Sequence, residues 1–155
     1  MHFNHLGLPV RDYQRSLRFY AAYFGFDPAT AQEYSDGTVI VRNADGFDLA
    51  LHPVENVEAL PAFLHAGFRA AEPAEVRTLL ARLDADGVTV VERDDEEGYT
   101  SFKCLDPGRP PGRGVLGTAL LPGGLSHGDR PQHHDESDED GAAGGLAARS
   151  ALVPQ

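Results

Sequence analysis

Two short stretches, Phe3–Gly7 (FNHLG) and Phe63–Gly67 (FLHAG), carry the same pattern F-x-H-x-G. They lie 60 residues apart in a chain of 155 residues, and a helix-like segment follows each of them. A repeat of this kind predicts two copies of one supersecondary unit. Because His5 and His65 stand at the same place in each copy, the duplication also brings a pair of imidazoles. Imidazoles are common ligands of divalent metal ions, so the repeat indicates a metal site.

The first copy is followed by the pattern of a helix and three strands. Residues 3–10 are predicted to form a strand, Asp12 to cap a helix and Gly25 to end it. Four apolar residues between them recur at i, i+3, i+4 and i+7, as on one stripe of an amphipathic helix: Leu17, Tyr20, Ala21 and Phe24. Strands are then predicted around 32–35, 38–42 and 47–52, separated by the tight turns Asp36-Gly37 and Asp45-Gly46.

The second copy repeats this plan. Residues 62–70 form the predicted strand, Pro73 lies near the start of the helix, and Gly87 ends it. The matching apolar stripe consists of Val76, Leu79, Leu80 and Leu83. Strands at 88–92 and 99–105 follow, joined by an acidic segment, Asp94 to Glu97, that we interpret as a solvated turn.

A complete βαβββ unit needs one more strand after Asp106-Pro107-Gly108. The sequence found there, RPPGRG at 109–114, is rich in proline and glycine and makes a poor strand. We therefore predict an α+β fold of two βαβββ modules, residues 1–56 and 61–121, whose last strand is degraded. The length suits one domain built from two intimately packed modules.

Composition changes abruptly near Pro107. All 13 aromatic residues precede it, whereas the remainder holds 10 of the 17 glycines and 5 of the 11 prolines. An acidic run, Asp135 to Asp140 (DESDED), lies in this part. Such a stretch has too little apolar surface to offset the entropy lost on ordering. Residues 122–155 are therefore predicted to be a disordered acidic tail rich in glycine and proline.

Bulk composition excludes several classes of partner. The formal net charge of −11 argues against binding to nucleic acids or anionic membranes, which requires a basic face. No apolar run approaches the length of a membrane span. The one cysteine, Cys104, cannot form an intrachain disulfide and suits the reducing cytoplasm, where we expect the protein to be located.

Three segments, in this order, resemble the vicinal oxygen chelate (VOC) superfamily, which includes glyoxalase I, extradiol dioxygenases, fosfomycin-resistance enzymes and bleomycin-resistance proteins. They are NHLGLPVRDYQRSLRFY, FLHAGFRA and GVTVVERDDEEGYTSFKCLDP, and they span roughly residues 2–107. The resemblance implies paired modules whose curved sheets enclose a metal or a ligand. It also implies that His5 and His65 are metal ligands, together with a glutamate on the last strand.

That glutamate is missing, because Arg113 stands where the carboxylate is expected. A cation there would repel a metal ion. We hypothesise that the chain is out of frame from about position 108. With a suitable choice of codons, reading Gly108 to Gly117 one nucleotide later gives D-G-H-R-V-E-V-Y-W, with glutamate at position 113. The aromatic-free tail is what such an extension would look like.

Further residues could belong to the site. His52, at the end of a strand, shares a face with Asp48 and Ala50 and is either a replacement metal ligand or an exposed strand-end residue. Tyr99 and Lys103 share a face of a later strand and either contact substrate or are surface residues. For His5 and His65, the alternative to ligand is a hydrogen-bonded structural histidine.

The expected function is that of a glyoxalase-like or dioxygenase-like enzyme that uses a divalent ion (Fe, Ni, Zn or Mn) on a small molecule with vicinal oxygens. Loss of the closing glutamate would impair it. The alternatives are a metal-free protein that sequesters a small molecule, as bleomycin-resistance proteins do, and a non-functional product of a frame change. The resemblance further implies a homodimer whose sites are shared between two chains.

Overall fold

The computed structural model describes residues 2–57, 65–96 and 99–109, together with the backbone of 119–122. Two helices and eight strands follow one another in the order βαβββ-βαβββ, which confirms the α+β prediction. They are β1 (His5–Val10), α1 (Tyr13–Phe24), β2 (Phe26–Glu33), β3 (Val39–Asn43), β4 (Asp48–Pro53), β5 (Gly67–Ala70), α2 (Pro73–Ala85), β6 (Val90–Glu96), β7 (Tyr99–Cys104) and β8 (Ala119–Pro122).

In module one, four strands form a single sheet in the order β1-β4-β3-β2. β1 and β4 are parallel, with His5 opposite Asp48 and Pro9 opposite His52, whereas the other pairs are antiparallel. The two predicted turns close the hairpins β2–β3 and β3–β4. Their glycines, Gly37 and Gly46, have φ angles of 80° and 78°, a conformation that glycine adopts without strain.

Module two repeats the order and pairing directions of these strands, but its strands form two two-stranded sheets in the described residues. β5 pairs in parallel with β8, β6 pairs in antiparallel fashion with β7, and β8 lies beside β7. The closing strand β8 is thus short, and it follows the segment 109–114 in which the sequence predicted a degraded strand. Most of that segment lies outside the described residues. Pro122 ends β8, so the predicted tail overlaps the strand by one residue. The rest of the tail, 123–155, is also outside the described residues.

The helix boundaries follow the predicted capping residues. Asp12 accepts a hydrogen bond from the Arg15 backbone N–H at 2.9 Å, and Gly25 ends α1 with a φ of 73°. Pro73 is the first residue of α2, where its missing N–H costs no hydrogen bond, and Gly87 follows the helix with a φ of 71°.

One hydrophobic core serves both modules. It consists of Leu8, Val10, Phe19, Tyr20, Phe24, Phe26, Val41, Leu49, Leu51, Val76, Leu83, Phe102 and Cys104. Helix α1 links the halves: Phe24 stacks on Phe68 with ring centroids 4.9 Å apart, and the Tyr23 hydroxyl donates to Asp86 at 2.6 Å. Burial of this apolar surface is the main stabilising contribution. No helix in the described part of the chain combines the length and apolar character needed to cross a bilayer.

The predicted boundaries of four strands, β1, β2, β5 and β6, differ from the observed ones. β2 begins at Phe26 because this residue is buried in the core. Pro28 hides the strand pattern, and the ladder to β3 shifts between Asp27 and Gln32 to accommodate it. On the N-terminal side of each module, β1 and β5 are shorter than predicted; residues 62–64 lie outside the described residues.

β6 extends to Glu96, so Asp94 and Asp95 belong to a strand and not to the predicted turn. Their charges are accommodated by partners on either side of the strand. The Ser101 hydroxyl donates to Asp94 at 3.1 Å, whereas Arg77 and Thr100 donate to Asp95. Glu97 and Gly98 lie outside the described residues.

Candidate functional site

One side of the module-one sheet carries two of the predicted ligands, His5 and His52, both of which are exposed, whereas Ala50 on the same side is buried. Alternation along β1 and β4 directs Leu8, Leu49 and Leu51 into the core. The side chains on the opposite side form what we call the open face: His5, Gly7 and Pro9 on β1, and Asp48, Ala50 and His52 on β4. His5 and His52 are therefore on one surface, as predicted for His52 from strand alternation.

His5 lies opposite Asp48, a carboxylate that sequence reasoning did not treat as a site residue. Arg42 donates two hydrogen bonds to Asp48, at 2.7 and 2.9 Å, in a bidentate pair. These bonds, with a smaller contribution from His5, lower the pKa of Asp48 and keep it ionised. The His5 Nδ1 atom is 2.9 Å from the side-chain oxygen of Asn4. The open face thus pairs an imidazole with a fixed anion.

His52 is exposed, but contacts on two sides of its ring hold the side chain in place. Its Nδ1 atom lies 2.9 Å from the hydroxyl of Thr38, which is buried. The other edge of the ring lies over Gly7, where an added Cβ would be 3.0 Å from Nε2. The glycine of the F-x-H-x-G pattern therefore leaves room for the imidazole of another strand.

His65 is exposed and lies two residues before β5, whereas His5 is the first residue of β1. Within the described ranges, no group of three or more His, Cys, Asp or Glu side chains is arranged so that it could hold a metal ion. The assignment of His5, His65 and His52 to one metal site therefore stays a prediction. Arg113 lies outside the described residues.

Module two carries a row of polar side chains on β7, the strand that corresponds to β3 of module one. Tyr99 and Lys103 lie on one side of β7 with Ser101 between them, as the alternation predicted. The Tyr99 hydroxyl is hydrogen-bonded to the Ser101 hydroxyl at 3.2 Å, and Lys103 donates to Glu92 at 2.6 Å. The polar groups are thus connected in pairs and can bind a polar ligand.

A buried polar clasp joins the end of β7 to the start of α1. Asp106, only 3% exposed, accepts hydrogen bonds from the Ser16 hydroxyl at 2.9 Å and from the Gly108 N–H at 2.8 Å. Burial nevertheless raises the pKa of Asp106. Arg109 is 6% exposed, and its three side-chain nitrogens have no hydrogen-bond partner among the described residues. Burial lowers the pKa of Arg109.

A cavity of about 560 Å³ lies at the start of α1, away from the candidate ligands. Its lining comprises Arg11, Asp12, Tyr13, Gln14, Arg15, Pro107, Gly108 and Arg109. It contains none of the predicted site residues, and the side-chain nitrogens of Arg109 are sealed from solvent. The candidate metal ligands His5 and His52 therefore do not line this cavity.

Sequence reasoning missed four residues around these surfaces: Asp48, Thr38, Ser101 and Asp106. For Asp48 and Ser101 a signal existed, since each lies two or four residues from a predicted site residue on the same strand. Thr38 and Asp106 gave no comparable signal, because their partners His52 and Ser16 lie on other elements.

Comparison with known proteins is consistent with this architecture. The family model described as "Glyoxalase/Bleomycin resistance protein/Dioxygenase superfamily" matches residues 2–109. Among curated proteins, no match is found.

Solved structures with the same fold include three with informative names. A possible glyoxalase from Bacillus cereus has 24% identity and a TM-score of 0.63, over 78% of this chain and 98% of that one. The fosfomycin resistance protein FosX from Listeria monocytogenes has 16% identity and a TM-score of 0.64, over 81% and 95%. Lactoylglutathione lyase from Agrobacterium tumefaciens has 19% identity and a TM-score of 0.56, over 79% and 93%. At such identities these structures establish the fold alone, but the family model covers most of the chain. The chain belongs to the glyoxalase/bleomycin resistance protein/dioxygenase superfamily.

Proposed function

We propose that this protein is a divalent-metal-dependent enzyme that acts on a small molecule bearing adjacent oxygen atoms. The observation that carries the proposal is the open face of module one, where His5 and His52 lie on one exposed surface with Asp48 opposite His5. Imidazole and carboxylate groups are ligands suited to Fe, Ni, Zn or Mn, although His5, His52 and Asp48 do not by themselves form a three-ligand site.

These donors fit the chemistry of such an ion but need a further ligand. We propose that His65 of the partner subunit supplies it in a homodimer, so that each site combines one module from each chain. The exposure of His5, His52 and His65 in the single chain supports this arrangement, because all three remain accessible to a second copy. In this proposal, module one comprises residues 1–56, module two comprises residues 61–121, and the domain ends at residue 121.

A bound divalent ion would act as a Lewis acid toward the vicinal oxygens of the substrate. The chain itself would contribute in three ways. His5 and His52 would hold the ion on the open face, and Arg42 would keep Asp48 ionised beside it. Lys103 and Tyr99 of module two would orient a polar or anionic substrate, provided that the ligand displaces Glu92 from Lys103.

The test is metal content followed by activity. The purified protein is analysed for Fe, Ni, Zn and Mn and then assayed for lactoylglutathione lyase activity, fosfomycin inactivation and ring cleavage of a catechol. We expect bound metal in the parent and at least tenfold weaker metal binding in His65→Ala. His2→Ala, which removes an exposed histidine outside the proposed site, is the matched control. A metal-free parent that gains no metal on reconstitution would overturn the proposal.

The proposed frame change is tested in the same experiment. A gene corrected by one base near position 108 should encode an aromatic closing strand with glutamate at position 113. If the parent is impaired by the loss of this carboxylate, the corrected protein should bind metal more tightly and react faster. Equal metal affinity and equal rates in the two proteins would contradict the frame hypothesis.

A second candidate function is metal-free sequestration of a cationic small molecule. It is favoured by the acidic edge that Glu92, Asp94 and Glu96 form on β6 and by the net charge of −11. Calorimetric titration of the metal-free protein with bleomycin distinguishes the two functions. Stoichiometric binding without metal would favour sequestration, whereas binding that requires metal would favour the enzyme.

A further inference from the structure

The exposed surface at the start of α1 carries three arginines, Arg11, Arg15 and Arg18, which we call the arginine cluster. We infer that this cluster is a docking surface for a short acidic segment of a partner protein. The inference goes beyond the proposed function and does not depend on it, because all three arginines lie outside β1 and β4, the strands of the candidate metal ligands.

The arginine cluster differs from most other cations of the described residues in forming no ion pair. Elsewhere, four cations each pair with a carboxylate at 2.6 or 2.7 Å: Arg42, Arg77, Arg93 and Lys103. The three arginines of the cluster have no such partner in the part of the chain that the structure describes, although the chain holds 24 acidic residues against 13 basic ones. Their charge is therefore available to a molecule that binds at this surface.

The position of these charges is unfavourable for α1 itself. Arg15 lies in the first turn, at the positive end of the helix dipole, where a cation is disfavoured, and Arg18 is its neighbour of like charge three residues later. Helix α2 has the opposite and favourable pattern, with Glu75 in its first turn and Arg82 in its last. An anion bound at the cluster would relieve the repulsion, so α1 gains from a partner of negative charge.

The surface on either side of Arg11 is concave. The cavity of about 560 Å³ at the start of α1 is lined by Arg11 and Arg15, and a second cavity of about 570 Å³ is lined by Arg11 and residues 53–56. The carboxylates of Asp12 and Glu55 also line these cavities. Asp12 is already engaged as the acceptor of the Arg15 backbone N–H. Arg11 therefore lies between two recesses that can receive the side chains of an extended segment.

The size and charge of the arginine cluster define the kind of partner. Arg11 and Arg18 are seven residues apart, about 10 Å at the rise of a helix, and three alternate residues of an extended segment span roughly 13 Å. Guanidinium groups bind carboxylates in bidentate pairs. A long polyanion such as a nucleic acid would extend beyond the cluster and be repelled by a chain of net charge −11. The surface therefore favours a short acidic peptide segment.

The test is fluorescence anisotropy of a labelled peptide with glutamate at three alternate positions, titrated with the full-length protein at low ionic strength. We expect saturable binding that weakens at physiological ionic strength, because salt screens exposed charges. Arg15→Gln combined with Arg18→Gln should weaken binding about 2- to 30-fold and leave the urea midpoint of unfolding no lower than in the parent. Arg69→Gln is the matched control and should bind as the parent does, since Arg69 is an exposed arginine of β5, remote from α1 in sequence.

A peptide of the same sequence with glutamine in place of glutamate should not bind. The inference is overturned if the parent does not bind the glutamate peptide, if the double variant binds it as tightly as the parent, or if both peptides bind equally. Tighter binding of a single-stranded oligonucleotide of equal charge would assign the arginine cluster to nucleic acids and would also overturn the inference.

Discussion

Replacing Gly108 by alanine should destabilise the protein far more than its position in a loop would indicate. A Cβ at this position would lie 2.0 Å from the Ser16 hydroxyl oxygen and 2.5 Å from the Asp12 carbonyl oxygen. The hydroxyl can rotate away, but the carbonyl belongs to the first turn of α1 and cannot. The loop that carries Gly108 must therefore move.

The magnitude follows from the hydrogen bonds that such a movement breaks. The Gly108 N–H donates to Asp106 at 2.8 Å, and its carbonyl accepts from the backbone N–H groups of Arg11 and Asp12 at 3.0 and 3.1 Å. At roughly 0.5–1.5 kcal/mol for each bond, the loss of all three costs about 3 kcal/mol.

Urea denaturation followed by circular dichroism measures this cost as a change in the free energy of unfolding. Gly46→Ala is the matched control, because Gly46 also lies in a turn but has open space where a Cβ would be added. Its positive φ should cost about 1–2 kcal/mol. If Gly108→Ala costs no more than Gly46→Ala, the described packing of this loop against α1 is wrong. The same contact means that a frame-corrected chain, with aspartate at position 108, must place this loop differently.

Three other perturbations have defined outcomes. Asp106→Asn should become more stable relative to the parent as the pH rises above about 3.8, the ordinary pKa of aspartate. Burial raises the pKa of Asp106 in the folded protein, so the parent loses stability as the pH rises from the unfolded to the folded pKa value. The asparagine variant does not titrate and keeps its stability over this range. Urea denaturation at a series of pH values checks this, and a constant difference between the two proteins would contradict it. Arg109→Met should raise the free energy of unfolding by roughly 1–3 kcal/mol in urea denaturation, since it removes a buried guanidinium that has no hydrogen-bond partner among the described residues. A decrease of the same size would show that the guanidinium is hydrogen-bonded in the folded protein. Gly7→Ala should displace the His52 ring and weaken Ni²⁺ binding about tenfold by calorimetry, and unchanged affinity would argue against His52 as a ligand.

Much of the fold could be predicted because local and periodic signals agree. Asp12, Gly25 and Pro73 mark helix ends by capping chemistry that depends on near neighbours alone. Asp36-Gly37 and Asp45-Gly46 mark hairpins for the same reason. Strand boundaries were harder, because Pro28 and the acidic residues of β6 are tolerated only through contacts made elsewhere in the fold.

The candidate site was only partly accessible to sequence reasoning. Alternation along β4 placed His52 on one face correctly, and alternation along β7 grouped Tyr99 with Lys103. The hydrogen-bond partners of these groups could not be predicted from the sequence, since Thr38 contacts His52 from the turn before the neighbouring strand β3, 14 residues away in the chain. The assignment of His5 and His65 as ligands of one ion stays a prediction.

The clasp between Ser16 and Asp106 lies ahead of the proposed frame change at position 108. Among the residues whose burial is described, the shared core also precedes that point, with Cys104 the last of its members. β8, which pairs with β5, lies beyond it, so a change of frame at position 108 would replace this strand of module two and leave the core residues named above unchanged. Under the frame hypothesis, the capping of α1 by Asp12 and the core built by both helices would therefore be the same in the parent and in the corrected chain.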